Sequence, residues 1–203
     1  MKTAPKDEKM DLIFILDRSG SMMGSQKDTI GGFNSFIQKE IKKELDTRVT
    51  TILFDDQYEV LYKRKPIHEV GELTEKEYWV RGTTALLDAI GKTINTLDKE
   101  IDNKTLVVIM TDGYENASHE YTKQQIKNLI SNHSWEFIYI GADIDSYGEA
   151  TKFGFKRSRI ANYMKSKEGV EDAYVSINCA MDSMREDMDL DDANWKKSLE
   201  KYD

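Results

Sequence analysis

A chain of 203 residues that is 39% hydrophobic and 33% charged has the apolar material for one domain with a sizeable core, which excludes a disordered chain. Its formal net charge of −8 argues against non-specific binding to nucleic acid or an anionic membrane, and for attraction of cations or basic surfaces. Cys179 is the only cysteine, so no intramolecular disulfide can form and a reducing, cytoplasmic location is expected. Residues 1–9 are charged and lack the apolar stretch of a signal peptide, and no run approaches the roughly 18 apolar residues of a membrane span.

Residues 12–16 (Leu-Ile-Phe-Ile-Leu) form a continuous apolar run, the pattern of a central strand buried on both faces. Asp17-Arg18-Ser19-Gly20-Ser21 follows directly, an acid with two hydroxyls at alternate positions. Three oxygen donors so spaced suit a hard cation such as Mg²⁺, which takes oxygen ligands in octahedral geometry at about 2.1 Å. Two of the three are neutral, so the cation keeps most of its charge.

Ile30, Phe33, Ile37, Ile41 and Leu45 then recur at helical spacing and predict a helix over 26–45, capped by Ser25. Gly31-Gly32 costs this helix about 1 kcal/mol per glycine relative to alanine, which implies close packing against the sheet or the nearby loop. Residues 48–54 and 58–62 read as two strands joined by a tight turn, hence an antiparallel hairpin. A polar, irregular segment over 63–81 carries a short helical piece around 75–78. Leu86, Leu87, Ile90, Ile94 and Leu97 predict a second amphipathic helix.

The run Leu-Val-Val-Ile-Met over 106–110 is another central strand, and it too ends in an acid, Thr111-Asp112-Gly113. Further on come a helix over 122–132, a strand over 135–140, a helix over 143–153 closed by Gly154, and a weak edge strand over 159–163. A long final helix carries Val170, Ala173, Tyr174, Ile177, Ala180, Met181 and Met184. The acidic stretch 186–192 reads as solvated, while Trp195, Leu199 and Tyr202 at helical spacing suggest last turns that dock on the domain or on a second chain. Alternating strands and helices predict an α/β fold. The sheet is doubly wound, mostly parallel and Rossmann-like, with about six strands, one antiparallel edge hairpin strand and helices on both faces. Residues 1–10 are expected as a tail, 11–188 as the domain, and 189–203 as an acidic tail that can form a short docked helix.

In doubly wound sheets ligands bind outside the carboxyl ends of the strands, where strand order reverses. If the two acid-tipped strands are neighbours there, Asp17 and Asp112 face each other across a crevice. The loop Arg81-Gly82-Thr83-Thr84-Ala85 adds Thr84, placed to cap the second helix while its hydroxyl reaches the same cation.

Asp-x-Ser-x-Ser after the first strand, Gly-Thr-Thr-x-Leu before a helix, and Thr-Asp-Gly after a later strand together resemble the von Willebrand factor A domain. The resemblance covers about 11–187. It implies a metal-ion-dependent adhesion site of Asp17, Ser19, Ser21, Thr84 and Asp112, and first and fourth strands that are central neighbours. It also implies a Mg²⁺ or Mn²⁺ bound partly through water, with one position open for an Asp or Glu of a partner protein. Compact members of this kind resemble standalone bacterial or phage relatives, some of which work beside ATPases, so an ATPase-associated complex is one expected partner.

The alternative is a Mg²⁺-dependent phosphoester hydrolase built on the same strand-end carboxylates. Ser19 stands where such an enzyme would commonly place a second acid, and no His or Lys is positioned by motif as a general base, so a non-enzyme is expected. Of the remaining residues, Arg18 reads as a solvated loop charge. Glu115 reads either as an exposed loop residue or as an occupant of the open metal position. Cys179 reads as a small packed residue, and His68, His119 and His133 are too scattered to suggest zinc.

Overall fold

A computed structural model describes residues 9–203; residues 1–8 of the expected N-terminal tail lie outside the described residues. Met10 already belongs to the first strand, β1 (Met10–Asp17), in which every residue is buried. Parallel partners flank it on both sides, β2 (Thr47–Phe54) and β4 (Lys104–Thr111). The six-stranded sheet has the order β3-β2-β1-β4-β5-β6. β3 (Tyr58–Pro66) runs antiparallel at one edge, and β5 (Glu136–Ala142) and β6 (Ile160–Tyr163) continue parallel at the other. Strand order therefore reverses between β1 and β4, the two strands that carry the acids.

Successive residues of a strand point to opposite faces, so β1 feeds two cores. Leu12, Phe14 and Leu16 pack under α1 (Gln26–Ile41) and α5 (Lys167–Arg185), where Phe14 meets Phe33 and Phe36 edge-on at 5.4 Å. Ile13 and Ile15 pack under α2 (Leu86–Leu97), α3 (Lys123–Asn132) and α4 (Ser146–Lys152). Both faces of the sheet are thus covered, which is what its near-continuous apolar strands require.

Several local expectations change. α1 ends at Ile41 rather than 45, and Glu44 adopts a left-handed φ of 54° beyond it. Its tight glycine is Gly32 alone, and the neighbour is α5 rather than the sheet or a loop. A Cβ there would lie 2.7 Å from the Tyr174 ring and Val170, whereas one on Gly31 would meet nothing within 4 Å. β3 runs on to Pro66 through a register irregularity opposite Thr51. The helical piece around 75–78 is a turn, closed by Tyr78 N–H donating to the Thr74 carbonyl at 2.9 Å. α4 starts only at Ser146, where the Asp145 side chain caps it by accepting from Gly148 N–H.

The C-terminal segment is part of the core. Trp195 and Leu199 are buried on the α5 side of the sheet, the Trp195 indole N–H donates to the Ser158 carbonyl at 3.0 Å, and residues Lys197–Tyr202 form a 3-10 helix. Nor is the acidic stretch simply solvated: Asp189 (3.1 Å) and Asp191 (2.6 Å) join Glu136 around the buried Arg159 guanidinium. Cys179 is exposed on α5 rather than packed. Among the described residues no helix is long and apolar enough to cross a membrane.

Candidate metal centre

Asp17 ends β1 at the carboxyl edge, and its backbone carbonyl accepts from the buried Tyr78 hydroxyl at 2.5 Å. Both carboxylate oxygens are held. Oδ1 accepts from Ser19 N–H and Oδ2 from the Thr111 hydroxyl, each at 2.6 Å. The chain then turns through a short 3-10 helix, Gly20–Met22, which brings Ser19 Oγ within 3.0 Å of Ser21 Oγ. Ser21 in turn donates to Asp112 Oδ1 at 2.5 Å. The first and second loops are tied by Gly20 N–H donating to the Gly82 carbonyl and Arg81 N–H to the Arg18 carbonyl, both at 3.0 Å.

Gly113 shows how closely the three loops converge. A Cβ on it would stand 2.7 Å from Thr84 Oγ1, 3.2 Å from Ser21 Oγ and 3.5 Å from Asp17 Oδ2. All five candidate ligands, Asp17, Ser19, Ser21, Thr84 and Asp112, therefore line one bowl. Four are buried and Ser21 is exposed, so the bowl has an open side.

Burial pushes the Asp17 carboxyl up to about 6 from an ordinary 3.8; hydrogen bonds from Thr111 and Ser19 oppose the rise and the neighbouring Asp112 charge adds to it. An anion so desolvated is stabilised by any cation placed against it. Two carboxylates and three hydroxyls are an all-oxygen donor set, which fits a hard divalent cation. Among the described residues no group of three or more His, Cys, Asp or Glu side chains is arranged to hold a metal ion, and the oxygen donors that converge here include three hydroxyls beside the two carboxylates.

The von Willebrand factor type A domain model matches residues 11–174. The chain belongs to this family. Members commonly bind a divalent metal at a metal-ion-dependent adhesion site (MIDAS) and mediate protein–protein contacts. No curated protein matches the chain. Among solved structures, it is similar to proximal thread matrix protein 1 of the mussel byssus with a zinc-occupied MIDAS motif, at 16% identity and TM-score 0.61, over 84% of this chain and 46% of that one. It is also similar to the ArnB paralog VWA2 from Sulfolobus acidocaldarius (16%, TM-score 0.62, 83% and 45% covered). A third likeness is to the vWF domain of the pili tip protein Mfa5 from Porphyromonas gingivalis (11%, TM-score 0.65, 85% and 96% covered). The chain spans less than half the length of the first two, and at these identities the likeness is one of fold.

Three loop residues of this VWA domain have other roles than their sequence context suggests. Arg18 is completely buried. Its guanidinium pairs with Asp55 at 3.1 Å and Glu59 at 2.7 Å, and Asp55 also binds Arg81 at 2.8 Å, so this network pins the first two loops together. Thr84 does not cap α2. The exposed helix amides are satisfied by the third loop, Leu87 N–H donating to Glu115 Oε2 at 2.9 Å and Asp88 N–H to Ser118 Oγ at 3.0 Å. Glu115 is thereby committed to α2, with its other oxygen accepting from Ala117 and Ser118 N–H, and it does not occupy the bowl.

Sequence reading missed Lys165 altogether. Its ammonium lies 3.0 Å from Asp112 Oδ2, 3.0 Å from Asp143 Oδ2 and 3.4 Å from the Ser21 carbonyl oxygen. Burial pulls this ammonium down, but Asp112 and Asp143 outweigh it and the net shift is upward. A signal was present: Lys165 stands just past β6, and in a parallel sheet the end of every strand opens at the same edge.

Proposed function

We propose that this VWA domain is a metal-dependent protein-binding module, in which Asp17, Ser19, Ser21, Thr84 and Asp112 hold Mg²⁺ or Mn²⁺ and a partner protein contributes an Asp or Glu carboxylate. The observation that carries this reading is the convergence of those five oxygen side chains on the space beside Gly113. Bound there, a divalent cation supplies an electrophilic charge to an incoming carboxylate. The chain's own residues do the rest. Thr111 and the Ser19 amide orient Asp17, the neutral hydroxyls coordinate without quenching the charge, and burial of the bowl strengthens ionic contact within it. Met23, Tyr114 and Met164 are exposed on the loops that carry or flank the site and offer apolar contact to the partner.

The hydrolase alternative gains no support: the groups against the two carboxylates are hydroxyls and a lysine ammonium already paired with Asp112. A cytoplasmic location is in keeping with an exposed, unpaired Cys179. An ATPase-associated assembly is where we would first look for the partner.

The test is capture of partner from source lysate in Mg²⁺ against EDTA, with D17A as control and Mn²⁺ titration of both proteins. Capture and metal binding are expected to be lost in D17A while its circular dichroism is kept. Partner capture undiminished in EDTA refutes the reading.

A further inference from the structure

β6 runs parallel to β5 and ends at Tyr163, on the same edge as Asp17 and Asp112. Two residues on, the Lys165 ammonium joins three loops: Asp112 of the third loop, Asp143 of the β5–α4 loop and the Ser21 carbonyl of the first. The lysine is held in place from its backbone. Ser166 caps α5 by accepting from Gly169 N–H at 3.1 Å, and a Cβ on Gly169 would stand 2.1 Å from the Met164 carbonyl oxygen, so the loop is packed onto the first turn of α5. Asp143, on the other side of the ammonium, adopts a left-handed φ of 54°, a conformation that Asp tolerates better than most residues.

The two oxygens of Asp112 are thus divided. Oδ1 accepts from Ser21, a candidate metal ligand, and Oδ2 faces Lys165. The Asp112 side chain is fully buried, so its charge needs a cation close by. One ammonium meets that need. A divalent cation held by Asp17 and Asp112 would meet it too, but it would then stand beside a like charge in a poorly solvated bowl, where repulsion is strong.

Resting on the metal reading above, we propose that Lys165 is a built-in competitor of the metal. The ammonium and the divalent cation exclude one another at Asp112, and metal binding breaks the Lys165 contact with Asp112 while its contact with Asp143 is kept. Lys165 thereby sets the metal concentration at which the site fills, and the chain carries its own substitute cation when divalent metal is scarce.

The experiment is calorimetric titration of Mn²⁺ into the wild-type chain, K165M, K165R and D17A, with the lysine ¹⁵Nζ resonances followed in the wild type during Mg²⁺ addition. K165M keeps the apolar stem and removes the charge. It is expected to bind Mn²⁺ about tenfold tighter or more, with K165R near wild type and the Lys165 resonance shifting as Mg²⁺ saturates. Equal or weaker binding by K165M, with D17A still abolishing binding, overturns the competitor role and leaves the metal reading standing. No binding by either wild type or K165M at millimolar metal overturns both. If K165M fails to fold, the wild-type resonance decides: a Lys165 signal unmoved by saturating Mg²⁺ overturns the proposal.

Discussion

Replacing Gly113 by alanine puts a methyl group 2.7 Å from the Thr84 hydroxyl oxygen and 3.2 Å from that of Ser21, where ordinary contact begins near 3.4 Å. The backbone at Gly113 is not left-handed, so alanine is excluded by space and not by conformation. Thr84 Oγ1 has to retreat by about 0.7 Å to relieve the contact. Mg²⁺ binds oxygen near 2.1 Å with strict octahedral preference, so a donor displaced that far is lost as a ligand and water takes its position. Disturbing the support of a metal site typically costs about 10- to 100-fold in affinity, which is about 1.4 to 2.8 kcal/mol. Calorimetric titration of Mg²⁺ or Mn²⁺ into G113A should show that loss, and thermal unfolding in EDTA should fall as well, because the methyl group crowds the buried Thr84 side chain. Unchanged metal affinity in a folded G113A would refute the placement of Thr84 and Ser21 around the cation.

The two helix glycines give a paired test. G31A should stabilise the protein by about 1 kcal/mol, since α1 gains helix propensity at an open position, whereas G32A should destabilise it through the Tyr174 and Val170 contacts; equal signs in urea denaturation would contradict this packing. W195A removes a side chain only 1% exposed and should cost about 3–5 kcal/mol, lowering Tm by roughly 10 °C in a domain of this size. A loss under about 1 kcal/mol would mean the C-terminal segment is not part of the cooperative core. Hydrogen bonding to Arg159, helped by Lys156 and Ser158, holds the Asp191 carboxyl well below the usual carboxylate range. Its stabilisation is therefore fully present above the unfolded value near 3.9 and is lost as pH falls from there through the lower folded value. D191N should be less stable than wild type by about 1–2 kcal/mol from pH 5 to 8, with the gap closing below pH 4; a gap that widens in acid would reverse the assignment.

The strands that carry the site were legible because a doubly buried parallel strand has to be apolar throughout, and both such runs here end in an acid. Leu12 to Leu16 and Leu106 to Met110 announce themselves, and the candidate ligands Asp17, Ser19, Ser21 and Asp112 follow from short motifs at their ends, with Thr84 from the Gly-Thr-Thr loop that leads into α2. Helix boundaries were less legible. α1 stops at Ile41 and α4 starts at Ser146, because ends are set by capping and by left-handed residues such as Glu44 and Asp143 rather than by apolar periodicity.

Local pattern thus specifies element type, buried face and strand-end chemistry, all of which depend on neighbours within a few residues. Charged side chains are another matter, since their burial depends on partners far along the chain. Arg18 looks like a solvated charge until folding brings Asp55 and Glu59 onto it. Glu115 looks like a spare ligand until α2 presents its unpaired amides. Lys165 has no meaning in its own segment. Only when β6 is laid parallel at the sheet edge does its ammonium reach Asp112, 53 residues away in the chain. Desolvation makes such pairings obligatory once the loops meet, and which loops meet is a property of strand order.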